Sequence, residues 1–386
     1  MQIMTNNKFR FDLRKKEKIK ACKPILERLY KNHKKKYIEL FFHEKDMVFE
    51  EFSLEHLVKA KILRKIGKKF RANVQVFPLS GKFICTDFII STNSIKNGEV
   101  VRGREDVWGI LTYESPYIAK KAIVEKNNIV LDLATGSGII ALFCADKAKK
   151  VIATDINPKA INYAKFNAIL NGAEDKIEFR LGDMFKPIKD MRFDLIIWNG
   201  ATLALPGDKE KYPVYCYGGY AGSNMTRKFI EEAPKHLTRK GKMQWLDPSL
   251  GTEKESATIK HIKEKWKNKN FKIVCEERVP PDDLFKVIDY CNKRLIYEPI
   301  HGRPKTPLEI KTITKGEVDE WMDLLKKRGY THINALMIKV YPSTKFKIVK
   351  TKPKKIVFKR MNYLPAEWHF LSYQRILQLL KICEEY

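Results

Sequence analysis

Three carboxylates, each at the end of an apolar run, carry most of the chemistry legible in this chain. Asp132 opens the segment Asp132-Leu-Ala-Thr135-Gly136-Ser-Gly138, Asp155 follows Gly136 by 19 residues in ATDINPKA, and Asp183 lies in LGDMF. Glycines without Cβ atoms let a strand turn sharply into a helix and let a ligand approach the backbone N–H groups at the helix start. A carboxylate at the strand end repels phosphate and suits a cation, so Asp132 points away from pyrophosphate binding. The spacing of Asp155 suits an acceptor for two ribose hydroxyls. Asp183 can accept from the amino group of a base while Met184 packs on the ring. Thr135 within the turn and Ile156 beside Asp155 are read as parts of the same site. One such acid is ordinarily a helix cap; three at successive strand ends mark the carboxyl edge where open sheets bind ligands.

The elements that must hold these residues alternate strictly from Ile129 onward. NIVLDLA, KVIATDI, DKIEFRLGD and FDLIIWN read as strands, with helices SGIIALFCADKA and PKAINYAKFNAILNG between the first three. Further strands KMQWLDP, KIVCEERV and HINALMIKVYP alternate with helices, so residues 105–342 are expected to form a seven-stranded Rossmann-like α/β sheet covered on both faces. Trp245, Trp266, Trp321 and Trp368 sit on apolar stripes and read as core. Residues 1–104 read as a separate domain: an amphipathic helix over 12–33, a helix LEHLVKAKILRKI capped by Ser53 and ended by Gly67, and a hairpin of RANVQVFPL and KFICTDFII turning at Ser80-Gly81. Helices followed by a two-stranded wing are winged-helix-like. Residues 343–386 read as a basic extension closed by an amphipathic helix, and 280–312 as a proline-rich insertion.

A cationic end, a ribose and an aminated base together describe S-adenosylmethionine, whose methionyl end carries an ammonium and a sulfonium. Residues from Ile129 to about Leu246 resemble the HemK-type family, the glutamine N5-methyltransferases of release factors and their relatives. Asn199 ends FDLIIWN where that family has N-P-P-[FY]; GGYAGSNMTRKFIEEAPKHLTRKGKMQWL resembles its GG-x-DG…R…APxxL…GG stretch, and GREDVWGILTYESPYIAK its segment closing over the methionine moiety. The resemblance implies that Asn199 is catalytic as well as near the cofactor, its side chain accepting from the substrate NH2, and that Glu114 lies at the cofactor. This chain departs where the substrate is recognised: Gly200-Ala201-Thr202 replaces Pro-Pro-aromatic. Either Tyr212, Tyr215, Tyr217 or Tyr220 fills in, or the acceptor differs from a planar amide or base; the same tyrosines read equally as lid packing. If the nucleophile must first lose a proton, Asp106 or Glu114 is a candidate base.

Composition narrows the remaining classes. The chain has 386 residues, 44% of them hydrophobic, and a formal charge of +29. It lacks an apolar run of membrane-spanning length and a leader-like start, so a cytoplasmic protein with no membrane partner is expected. Seven scattered cysteines without a C-x-x-C pair argue against a disulfide framework, and histidines without ligand spacing against a metal. Lys and Arg exceed Asp and Glu by 21 to 9 in residues 1–72 and by 10 to 3 in 343–386, but balance at 13 to 13 across 105–202. Basic flanks on a neutral core allow nucleic-acid binding. Protein, nucleic-acid and small-molecule acceptors all remain open at this point, as does a non-catalytic module; Asp132 and the missing third glycine disfavour a dehydrogenase.

Overall fold

The computed structural model describes residues 9–51, 53–88, 95–96, 99–100, 105–107, 114–286, 315–352 and 373–385. Residues 108–113 before the first core helix, most of the 280–312 insertion, Trp368 and the lysine-rich 353–360 lie outside the described residues.

The chain begins with helices α1 (Lys16–Lys20), α2 (Cys22–Asn32), α3 (Lys34–Phe41) and α4 (Glu55–Lys59). Two hairpins follow, β1 (Leu63–Ile66) with β2 (Lys69–Ala72) and β3 (Gln75–Leu79) with β4 (Lys82–Thr86), then the short pair β5 (Ile95–Lys96) and β6 (Glu99–Val100). The hairpin at Ser80-Gly81 is as expected. The helix expected through 66 is not: Lys61 takes a left-handed conformation (φ 62°) and ends it, and Gly67 turns a hairpin rather than closing a helix. Ser53 contributes only a long contact from the Glu55 N–H, and Leu54 occupies the cap.

The core starts with α5 (Glu114–Lys120) and runs through β7 (Ile129–Leu133), α6 (Ile139–Ala145), β8 (Lys150–Asp155), α7 (Pro158–Leu170), β9 (Ile177–Leu181) and β10 (Phe193–Trp198). It continues with α8 (Asn224–Glu232), β11 (Leu237–Gly251), α9 (Ala257–Trp266), β12 (Phe271–Asp283), α10 (Lys315–Lys327) and β13 (His332–Pro342). All seven expected strands form one sheet, and an eighth, β14 (Lys347–Thr351), joins them; the order is β14-β12-β13-β11-β10-β7-β8-β9. Only β13 runs against its neighbours. β14 was hidden in sequence because its lysines stand where an edge strand faces solvent. The last helix, α11 (Tyr373–Glu385), returns to the N-terminal part, where the Glu384 carboxylate accepts from the Ser80 N–H and hydroxyl at 2.6 and 2.7 Å.

Alternation along the strands divides the core. Val130 and Val151 face α6, α7 and the N-terminal helices, whereas Leu131, Leu133, Ile196 and Trp198 face α8 and α9, where Trp245 and Trp266 are fully buried. Trp321 packs in a smaller cluster with Leu250 and Leu325. No helix among the described residues is long and apolar enough to cross a membrane.

Candidate cofactor and methyl-transfer site

Strand register brings the predicted residues to one edge. Leu133 pairs with both Thr154 and Trp198, so the turn after β7, Asp155 at the end of β8 and Asn199 after β10 leave the sheet at one level. The turn is built from left-handed residues, Ala134 (φ 60°), Gly136 (φ 55°) and Gly138 (φ 83°). Its two glycines do different work. A Cβ on Gly136 would meet nothing within 4 Å, so this glycine faces open space at the edge. A Cβ on Gly138 would stand 3.0 Å from the Ala164 Cβ, so this glycine also lets α7 pack against the turn.

Asp132 is fully buried. Its Oδ2 accepts from the Thr135 hydroxyl at 2.5 Å and the Ala141 N–H at 3.0 Å, so half of this carboxylate holds the turn together. Its Oδ1 is buried with no hydrogen-bond partner. Burial pushes its pKa up to about 7 against the pull of those two bonds, and the nearby Asp155 charge adds to the rise. An unsatisfied buried oxygen is costly, and a cationic donor beside Oδ1 removes that cost. The residues present therefore fit S-adenosylmethionine.

Asp155 spans the floor beside the turn, its Oδ2 accepting from the Gly136 N–H at 2.9 Å and its Oδ1 from the Asn157 N–H at 2.8 Å. Burial raises its pKa while these backbone bonds oppose the rise. Ile156 beside it is 54% exposed, a large apolar side chain left open at the edge. Asp183 is more occupied than expected: Lys186 and Lys228 approach its Oδ2 at 3.2 and 3.3 Å. Partial burial works to raise its pKa, and the two lysines outweigh it to leave the pKa lowered. Met184 (φ 47°) is 7% exposed and packs in the core face with Phe185.

At the acceptor side, the Asn199 Nδ2 donates to the Ser115 hydroxyl of α5 at 3.3 Å. Glu114 precedes Ser115, and burial raises its pKa against the opposing charge of Arg278, whose guanidinium lies 4.5 Å from the Tyr117 ring centroid. The other candidate base, Asp106, lies 3.5 Å from the Lys159 ammonium in a buried ion cluster. Gly200 has a steric reason: a Cβ there would fall 2.2 Å from the Trp198 Nε1. The fully buried Trp198, stacked on Phe229 at 5.0 Å, occupies the space a proline at 200 needs. Tyr212 and Tyr217 stack at 5.6 Å and turn their hydroxyls to the Pro206 and Gly207 carbonyls at 2.7 and 3.0 Å, which makes them packing for the loop. Tyr220 remains 46% exposed. A cavity of about 590 Å³ lies between this loop and α10, lined by Tyr217, Tyr220, Glu317 and Trp321; none of Asp132, Asp155 and Asn199 lines it.

Sequence reasoning missed Ser115, Trp198, Asn157 and Lys159. The Asn157 side chain, an N-cap before Pro158, was the one with a local signal.

Comparison with known proteins agrees with this geometry. A family described as "Methyltransferase domain" matches residues 124–329. The putative protein N5-glutamine methyltransferase of Methanocaldococcus jannaschii is 34% identical over 180 residues, which cover 45% of this chain and 87% of that protein. A release factor glutamine methyltransferase of Thermodesulfovibrio yellowstonii is 30% identical over 245 residues, 61% of this chain and 79% of the relative. A ribosomal protein uL3 glutamine methyltransferase of Bradyrhizobium diazoefficiens is 36% identical over 121 residues, 29% of this chain and 38% of the relative. With a glycine turn, a buried half-paired carboxylate and a strand-end asparagine at one sheet edge, the chain belongs to the HemK-type methyltransferases and is an enzyme that uses S-adenosylmethionine.

Proposed function

We propose that the chain methylates a side-chain nitrogen of a protein, the amide of a glutamine. The observation that carries this reading is Asn199: it leaves the sheet level with the cofactor turn, and its Nδ2 is already engaged by Ser115. With Nδ2 donating, Oδ1 is the atom of this amide that can accept from a substrate N–H. Two relatives named for glutamine methylation of protein substrates support the acceptor class.

Bound at this edge, the cofactor supplies an electrophilic methyl group. Asp132 Oδ1 would hold its ammonium, Asp155 its ribose hydroxyls, and Ile156 would cover the base. Asn199 Oδ1 accepts from the acceptor's N–H and holds the nitrogen in line, so that rate comes chiefly from positioning. The amide nitrogen must lose one proton on gaining the methyl group, and Glu114, raised in pKa by burial, is the carboxylate proposed to receive it.

The test is incubation of the full chain with methyl-labelled S-adenosylmethionine and separated protein, RNA and metabolite fractions. Label in a protein band, located on glutamine by mass spectrometry, is expected. Label confined to RNA, to which the basic flanks would then contribute, or to a metabolite would overturn the reading.

A further inference from the structure

Lys159 is fully buried in the first turn of α7, where the helix dipole disfavours a cation. A lysine with both penalties persists only if paired. Its ammonium lies 2.7 Å from Asp87 Oδ2, at the end of the β4 hairpin, and 3.5 Å from Asp106 Oδ1. Asp87 is itself buried and saturated: Oδ1 accepts from the Tyr163 hydroxyl at 2.7 Å, and Oδ2 also from the Val107 N–H at 2.7 Å. The Asp87 N–H donates back to the Val107 carbonyl at 3.2 Å. One ammonium thus joins three pieces of chain: the N-terminal hairpin, residues 105–107 and α7.

The joint is tied to Asp155 through Asn157. The Asn157 Nδ2 donates to the Glu105 carbonyl at 2.9 Å, its Oδ1 accepts from the Lys159 N–H at 2.9 Å, and its backbone N–H donates to Asp155. A shift of residues 105–107 therefore pulls on Asn157, and through it on the orientation of the Asp155 carboxylate. We infer that Lys159 is a positioning residue for cofactor binding, its ammonium holding Asp106, and with it residues 105–107, against Asp87 so that Asp155, in the ribose role proposed above, is held ready.

The experiment compares S-adenosylmethionine affinity by calorimetry with thermal stability for full-length Lys159→Met, Asp106→Ala and Glu174→Gln. Glu174 pairs with Lys20 at 2.7 Å and also ties the N-terminal part to the core, but beyond the far end of α7. Lys159→Met is expected to raise Kd roughly tenfold or more, as misplacement of a binding group does, and Asp106→Ala to raise it in the same direction. Glu174→Gln should lower the melting temperature without changing Kd. If Lys159→Met does not fold, Asp106→Ala carries the test, because its side chain is 16% exposed and sits at the rim of the cluster. Wild-type affinity in a folded Lys159→Met or, failing that variant, in Asp106→Ala overturns the inference. So does an affinity loss in Glu174→Gln equal to theirs, which would show only general loosening.

Discussion

Asn167 of α7 holds both backbone groups of Cys85 in β4: its Oδ1 accepts from the Cys85 N–H at 2.8 Å and its Nδ2 donates to the Cys85 carbonyl at 2.9 Å. The same Nδ2 donates to the Ser137 carbonyl in the cofactor turn at 2.8 Å. One turn later Asn171 repeats the exchange with Phe83, at 3.0 and 2.8 Å, and Asn162 does so with Phe11, at 2.8 and 3.1 Å. Three asparagines thereby give the N-terminal part a ladder of hydrogen bonds on a helix, where a second strand would ordinarily supply one.

Asn167→Leu tests this clamp. It leaves the Cys85 N–H and carbonyl buried without partners, and each such group costs about 1–3 kcal/mol. Denaturant unfolding should show a loss of roughly 2–6 kcal/mol on that basis. Asn171→Ala, at a partly exposed position, should lose less; equal, small losses at both would show that burial of apolar residues alone attaches the N-terminal part.

Asp132 makes a signed prediction about pH. Its pKa in the folded protein is about 7, above the ordinary 3.8, so between those values the native state holds a proton that the unfolded chain releases. Its contribution to stability therefore falls as pH rises through that window. A cation at Oδ1 favours the ionised form, so S-adenosylmethionine should bind more tightly towards pH 7 and release a proton below it. Asp247, also buried and raised to about 7, should share the stability slope but not the linked proton, since its bond runs to Thr258. Calorimetry in two buffers of different ionisation enthalpy measures the release. Asp132→Asn should abolish it, and a buffer-independent enthalpy in the wild type would remove Asp132 from ammonium binding.

Asp155→Ala should weaken S-adenosylmethionine binding by roughly 1.5–3 kcal/mol, the usual effect of losing hydrogen bonds to a charged acceptor. Because Asp155 also accepts from Gly136 and Asn157, some of that loss should appear as reduced stability. Titration with NADH serves as the control and should show no useful binding by either protein. Unchanged S-adenosylmethionine affinity in a folded variant would exclude Asp155 from the ribose site.

Asn199→Ala should leave cofactor affinity nearly intact and lower kcat on the identified acceptor by about 10²-fold, the order expected when a positioned hydrogen bond in the transition state is lost. Binding isotherms and turnover on the same preparation separate the two effects. A variant with wild-type turnover would reduce Asn199 to a strand-end cap bonded to Ser115.

The parallel strands and their three terminal acids were legible because buried strands read as continuous apolar runs and their ends fall at one edge. Features that depend on distant partners were not. Asn167 and Cys85 are 82 residues apart and Phe11 and Asn162 are 151, so no local spacing announces the clamps. The contact of Gly138 with Ala164 was not legible either, because Ala164 belongs to α7, beyond the helix that the turn itself opens. The segment LEHLVKAKILRKI misled for another reason: its apolar positions suit a helix as well as a helix plus strand, and Gly67 closes either one. At the candidate site, the strand-end placement of Asp155 and Asn199 could be read from the sequence, whereas the occupation of Asp183 by two lysines depends on Lys228 from α8.

Gly200→Pro restores the first proline of the family's N-P-P motif, and the structure predicts that this restoration fails. The new Cβ would lie 2.2 Å from the Trp198 Nε1, and Trp198 cannot easily yield because it is fully buried against Phe229. Overpacking of this kind costs roughly 1–3 kcal/mol or more, and turnover should fall with it because Asn199 lies between the two residues. Trp198→Leu removes the obstacle at its own expense, since truncating a large buried aromatic costs about 3–5 kcal/mol. The informative quantity is the double-mutant cycle: Gly200→Pro should be markedly less destabilising in the Trp198→Leu background than alone, giving a favourable coupling within the roughly 0.5–3 kcal/mol range of contacting residues. An equal effect in both backgrounds would show that the indole does not dictate glycine at 200. Gly200 would then be a departure from the family pattern independent of Trp198, and the altered acceptor loop would need a cause elsewhere.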